Sequence, residues 1–342
     1  MIVLVIIIAC TIIVYTRRFK TICIFETEGQ GQSLNNENMF CDLETGVCGV
    51  NGEDELEVID LTRSNRKITL YYVTDPICSH CWALEPVLNR FIKQYASYFK
   101  LQIVMGGLLP GWHGFADKSN GIQKPSDVAQ HWQEVGEHSR MPIDGTLWHD
   151  HPILSSYPPS RVFKVIQEKH EGKENEFLRR AREAVFVFNR NIGEDEVLID
   201  LVHQMGLDGE KIVAESGLES AQNRLEQDFE LSSSLGVKGF PTVIMVNEEN
   251  KGVKIVGAQP LQTYVEGLKQ ILPERVNPDD VPNLLEWLEE GHPLFSKEIE
   301  MMYDLEQNEV LAFVQSELPQ DSYRIYHILG EMYIESVKKE RG

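Results

Sequence analysis

The sequence predicts an α/β fold: a sheet entered by a strand–helix–strand unit, interrupted by a long helical insertion, and resumed by a hairpin and a closing helix. Three observations predict it. Segment 66–74 (RKITLYYVT) is a dense run of β-branched and aromatic residues, the composition of a buried strand. After it, Leu84, Val87, Leu88, Phe91, Ile92 and Tyr95 recur at helical spacing. A second strand, 99–105 (FKLQIVM), stops at Gly106-Gly107. Strand, helix and strand in that order open a βαβ unit.

The rest of the chain is read in order. From about 123 to 235 the pattern is helical throughout, clearest over 159–170, 174–188, 195–205 and 220–235. Strands return at 240–246 and 251–256, joined as a hairpin through Asn247 to Asn250, and a helix over 261–272 closes the domain. Residues 66–272 therefore read as one domain with its insertion at 123–235. Pro273, Pro278 and Pro282 mark a linker into a small acidic helical region, 273–342, where 16 acids face 6 bases. Segment 296–310 has the spacing of a helix-turn-helix opening, but its acidity suits packing or protein binding.

Composition narrows the function. The 342 residues are 42% hydrophobic and 25% charged, an ordinary globular balance that excludes a disordered, collagen-like or polytopic membrane chain. With 53 acids against 32 bases the net charge is −21. Such a surface repels phosphate backbones, so nucleic acid is excluded as a partner. Residues 1–25 open with an apolar run, Met1 to Tyr15, followed by Arg17, Arg18 and Lys20. As a helix the run spans about 22 Å, short of the roughly 30 Å hydrocarbon core. It reads either as a short anchor that holds the body in the cytoplasm by the positive-inside rule, or as an over-extended start with Met39 as the true one. Residues 26–65 read as linker and carry Cys41 and Cys48.

Six cysteines are too few to staple a chain of this length, so two that sit close together point to chemistry. Cys78 and Cys81 flank Ser79-His80 where the first strand hands over to its helix. A thiol at a helix N-terminus faces unpaired backbone N–H groups that stabilise its thiolate. Cys78 holds that place, and His80 can add positive charge beside it. Free cysteine is only about 3% ionised at pH 7, so two units of depression would make it mostly thiolate. Cys78 is accordingly expected to be the exposed, attacking sulfur and Cys81 the resolving one. Phe240-Pro241-Thr242 opens a later strand, where a proline marks a special feature. A cis Phe240–Pro241 bond beside Cys78 would turn the backbone outward toward an extended client.

These residues resemble the DsbA family of thioredoxin-fold proteins over about 66–272: strand, Cys-Ser-His-Cys, helix, strand, helical insertion, Phe-Pro-Thr, hairpin, helix. Two branches are closest. Asp75-Pro76-Ile77-Cys78-Ser79-His80-Cys81-Trp82 and Gly106-Gly107-Leu108-Leu109-Pro110-Gly111 resemble the cytosolic, FrnE-like disulfide isomerases. The same opening followed by a carboxy-terminal extension, here 296–305, resembles the SpxH (YjbH) type of adaptor for the ClpXP protease. The resemblance carries over Cys78, Cys81 and Pro241.

It implies one of two functions in the cytoplasm. In the leading reading, Cys78 attacks a client sulfur, a mixed disulfide forms, and Cys81 resolves it without a cofactor. In the alternative, the fold is a docking surface that delivers a transcriptional regulator to ClpXP. Weaker constellations remain open. Cys41 and Cys48 fit a second redox pair, a four-thiolate zinc site with Cys78 and Cys81, or plain reduced thiols. Trp112-His113, His131 and Trp148-His149-Asp150-His151 read as surface histidines, so no metal is expected.

Overall fold

A computed structural model describes residues 39–42, 47–50, 68–115, 117, 120–273 and 275–337. The chain divides into two compact units, 1–58 and 59–342. In the first, strands β1 (Met39–Asp42) and β2 (Val47–Val50) pair antiparallel, with Cys41 opposite Cys48. Among the described residues no helix is long and apolar enough to cross a membrane. The expected segment at Met1 to Lys20 lies outside the described residues.

The second unit opens as its residue pattern requires. Strand β3 (Ile68–Thr74) runs parallel to β4 (Phe99–Met105), with Ile68 opposite Phe99, and helix α1 (Ser79–Tyr95) makes the crossover. β3 is largely buried, which suits its β-branched and aromatic sequence. Leu84, Leu88, Phe91 and Tyr95 form the buried stripe of α1, and Phe91 stacks on Phe99 at 5.5 Å.

Seven helices of insertion follow: α2 (Pro125–Ser139), α3 (Leu147–Asp150), α4 (Tyr157–Lys169), α5 (Glu174–Arg182), α6 (Asp195–Gln204), α7 (Gly209–Ser216) and α8 (Glu219–Ser234). The helical stretch expected over 174–188 changes character after Arg182, where Glu183–Val187 forms a π-helical turn. That turn delivers Phe186 between Trp82 of α1, at 5.9 Å, and Trp132 of α2, at 4.5 Å. The insertion is thereby welded to the first turn of the crossover helix.

Strands β5 (Thr242–Val246) and β6 (Gly252–Val256) form the hairpin, and β5 runs antiparallel to β3 with Thr242 opposite Val73. Within this unit the strand order is β6-β5-β3-β4. Helix α9 (Leu261–Ile271) then packs against α1 and β6.

The carboxy-terminal region holds the expected helices and adds a small sheet. Helices α10 (Leu284–Leu288), α11 (Ser296–Tyr303) and α12 (Val310–Glu317) are joined by a three-stranded antiparallel sheet in the order β7-β9-β8, from β7 (Leu294–Phe295), β8 (Tyr323–Ile328) and β9 (Glu331–Ser336). β8 and β9 are joined through Leu329-Gly330, both in the left-handed region, the conformation that a tight two-residue hairpin turn demands. The expected linker is also more than a tether. The Asp279 N–H donates to the Gln94 carbonyl at 2.8 Å, and the Tyr98 hydroxyl pairs with the backbone of Asn277.

The region has a small core of its own around Trp287, Leu288 and Ile299, while Phe295 and Tyr333 belong to the main core. Charge fixes the contact. Arg179 is buried among Glu85 (2.7 Å), Glu183 (2.6 Å) and Glu298 (2.6 Å), and it lies 4.8 Å from the Trp82 ring. Three carboxylates from three separate elements thus share one guanidinium. Losing Glu298 leaves Arg179 two of its three carboxylates and takes the acceptor from the buried Phe295 N–H. We expect Glu298→Ala to lower the unfolding free energy by about 1–3 kcal/mol in a urea titration; a loss below about 0.5 kcal/mol would show that the array does not hold the region in place.

Candidate functional site

The site is built where β3 ends. Cys78 is the N-cap of α1, with extended backbone, and its Sγ accepts the Cys81 N–H at 3.3 Å. Its carbonyl accepts the N–H groups of Cys81 and Trp82 at 3.0 and 3.1 Å. The expected position at the helix N-terminus is therefore observed, and a hydrogen bond joins the two thiols. The expected exposure is not. Cys78 is 5% exposed and Cys81 fully buried.

The electrostatics also depart from the sequence reading. Burial pushes the Cys78 thiol up, and the hydrogen bond and charge of Cys81 reinforce the shift. Cys81 loses by burial as well, yet the bond from Cys78, the Arg182 guanidinium and the Thr74 hydroxyl hold it below the ordinary range. Of the two sulfurs, Cys81 is the one whose surroundings favour the thiolate. His80 supplies no cation. Desolvation, then the nearby His131 and His138, keep its imidazole below its usual value, and its ring stands edge-on to His131 at 5.3 Å.

Asp75 was absent from the expected site and is central to it. It is fully buried, and its carboxylate accepts the Ile77 and Leu108 N–H groups at 3.1 and 2.8 Å and the Ser156 hydroxyl at 2.8 Å. Burial nevertheless raises its pKa to about 6, against the pull of those bonds and of Arg182. Arg182 is the second such residue. It reaches the Thr74 hydroxyl at 2.5 Å, the Asp75 carbonyl at 3.3 Å and Glu85 at 2.7 Å. In sequence it is one arginine of a charged helix, and nothing local sets it apart from Arg180. Its signal is position, since it falls on the stripe shared by Leu178 and Ala181 just before the π-helical turn.

The Phe240–Pro241 bond is cis. The β3–β5 register carries Pro241 to the level of Thr74 at the end of β3. Thr242 is buried and donates its hydroxyl to the Gly239 carbonyl at 2.8 Å. Phe240 and Cys78 line one cavity of about 610 Å³ with His80, Trp112, Phe115 and Trp148. Gly106 makes this possible: a Cβ there would stand 2.1 Å from the Phe240 ring. Read in sequence as a strand stop, Gly106 is a clearance for the proline loop.

Cys41 and Cys48 stand opposite each other in the β1–β2 hairpin, and their side chains lie outside the described structure. Among the described residues no group of three or more His, Cys, Asp or Glu side chains is placed to hold a metal.

With this geometry, the family described as Thioredoxin matches residues 71–266, from the middle of β3 into α9. A protein of Halalkalibacterium halodurans named ClpXP adapter protein SpxH is 30% identical over 275 residues, 79% of this chain and 88% of its own. Its Bacillus subtilis namesake is 29% identical, over 72% and 81%. The chain belongs to the thioredoxin family, in its SpxH branch. A putative protein disulfide isomerase from Nitrosomonas europaea shares the fold, with a TM-score of 0.52 at 19% identity, over 59% of this chain and 96% of its own. The SpxH relatives are matched over more of this chain than that isomerase or the thioredoxin match covers.

Asp75 gives the site a pH signature. Its folded pKa lies above the unfolded value of 3.8, so its contribution to stability is complete below that value and is lost as pH rises through about 6. We expect the difference in unfolding free energy between the native chain and Asp75→Ala to narrow by about 2.4 kcal/mol between pH 4 and pH 7 in urea titrations. A difference that stays flat with pH would contradict the assignment.

Proposed function

We propose that this chain is a cytoplasmic adaptor that docks a regulator protein and presents it to the ClpXP protease. One observation carries the reading. The match to the protein named a ClpXP adapter runs over 275 residues, whereas the thioredoxin match ends at residue 266 and spans 196 residues, 71–266. What the chain shares with that relative therefore exceeds the catalytic fold, and shared length of this kind favours a common use for the whole body.

The site geometry supports the same choice. A nucleophilic cysteine needs a populated thiolate and access. Here Cys78 is nearly closed off and pushed up, while the surroundings that favour a thiolate are those of the inner sulfur. The carboxy-terminal region is held by the buried Arg179–Glu298 pair from α5 and by Arg90 of α1, which bonds the Met301 carbonyl and Asp304, and these contacts make a rigid composite surface. Rigid surfaces lose less entropy on docking than tethered ones.

A second reading keeps a specific observation in its favour. Cys78 and Cys81 are hydrogen-bonded at the helix start, and Phe240 shares their cavity. That arrangement supports thiol–disulfide exchange with protein clients through a mixed disulfide, as reductant or isomerase.

The two readings part on the cysteines. In an assay with a proteolytically inactive ClpP that traps what ClpX delivers, the chain should increase capture of particular proteins. The Cys78→Ala, Cys81→Ala double variant should preserve that capture within about twofold. Loss of capture with both cysteines gone, together with loss of insulin reduction, would place the chain among the oxidoreductases instead.

A further inference from the structure

The cysteine pair and the carboxy-terminal region are joined by one continuous line of buried charge. Thr74 hydrogen-bonds the Cys81 sulfur and receives Arg182. Arg182 bonds Glu85 at 2.7 Å, and Glu85 bonds Arg179 at 2.7 Å. Arg179 holds both oxygens of Glu298 at 2.6 and 2.9 Å and the Pro293 carbonyl at 2.9 Å. Glu298 in turn accepts the Phe295 N–H at 3.1 Å at the start of α11. An apolar contact runs alongside: Trp82, next to Cys81, meets Phe295 edge-on at 5.6 Å.

We propose that this line is a two-way coupling, so that the redox state of Cys78–Cys81 sets how firmly the 284–336 region is held, and the seating of that region sets the redox balance of the pair. Each link is a shared partner. Glu85 is divided between Arg182 and Arg179, so whatever either arginine gains elsewhere changes its claim on Glu85. Coulomb attraction between such groups is strong because none of them is bathed in water. The Arg182 Nε is buried with no hydrogen-bond partner, which leaves the guanidinium dependent on the anions around it. Coupling between sites is reciprocal for binding free energies. The inference goes beyond the adaptor reading and does not depend on it.

The direction follows from the charges. In the dithiol form Cys81 is an ionisable sulfur near Arg182, and the disulfide form has none there. Oxidation by a small disulfide such as oxidised glutathione proceeds in two exchanges. One cysteine thiolate attacks a sulfur of the small disulfide and expels one thiol; the other cysteine then expels the second. The two cysteines lose two protons and two electrons, the small disulfide gains both as two thiols, and one S–S bond replaces another. Arg182 has then lost its ionisable sulfur partner and draws on Glu85, which Arg179 gives up in part. Run in reverse, neutralising Glu298 makes Arg179 claim Glu85 and leaves more of the Arg182 charge for Cys81. The dithiol form is stabilised.

The test uses the full chain equilibrated in mixtures of reduced and oxidised glutathione. For Glu298→Gln, which keeps shape and removes charge, the equilibrium constant should shift about fivefold towards the dithiol. An unshifted constant in a folded variant, or a shift towards the disulfide, overturns the proposal. Should the variant fail to fold, the native chain decides alone. Proteolytic cleavage within 284–336 should differ about fivefold between its dithiol and disulfide forms, and equal rates overturn the coupling.

Discussion

Everything on the α1 side of the molecule depends on one buried guanidinium. Arg179 takes Glu85 from α1, Glu183 from the π-helical turn and Glu298 from α11, and it lies against the rings of Trp82 and Phe295. An arginine suits this place because its planar fork serves several carboxylates at once and its faces stack on aromatics. The three carboxylates would repel one another without it. The crossover helix, the insertion and the carboxy-terminal region therefore fit together only in the arrangement that brings them to Arg179. Desolvation makes such arrays weak sources of net stability but strong sources of specificity in position.

The same burial shapes the chemistry of the cysteine pair. In an open helix start, N-capping favours a thiolate at Cys78. Here the outer sulfur is covered, and the fixed cation, Arg182, approaches from the inner side near Cys81. Asp75 adds an anion near Cys78 once ionised. The field around the pair has been turned inward. A thioredoxin scaffold keeps its cysteines, its proline loop and its cavity in this arrangement, while the outer thiol is poorly suited to attack.

Much of the fold was legible because local pattern and burial agree there. β3, α1 and β4 follow directly from the β-branched and aromatic residues of the strands and the stripe ending at Tyr95, and 99–105 has the same bounds in structure as in sequence. Cys78, Cys81, Phe240 and Pro241 were legible as a motif. What sequence could not show is partner-dependent. Arg182 and Glu85 look like solvated helix charges until the insertion folds over α1. Asp75 reads as a helix-preceding turn residue until Leu108 and Ser156 surround it. His80 reads as a cation until His131 is brought beside it by α2. The strands β8 and β9 were not legible because their apolar residues follow no strict alternation and their burial is partial.

The central claim is that the carboxy-terminal region and the thioredoxin fold are one cooperative body joined at Arg179. Native-state hydrogen exchange of the full chain, read residue by residue, tests it most directly. The account predicts that the slowest amides of α11 and β9 open with the same free energy as those of β3 and α1. Exchange of α11 and β9 at a markedly lower free energy, with β3 and α1 still protected, would show a separately unfolding appendage and contradict it.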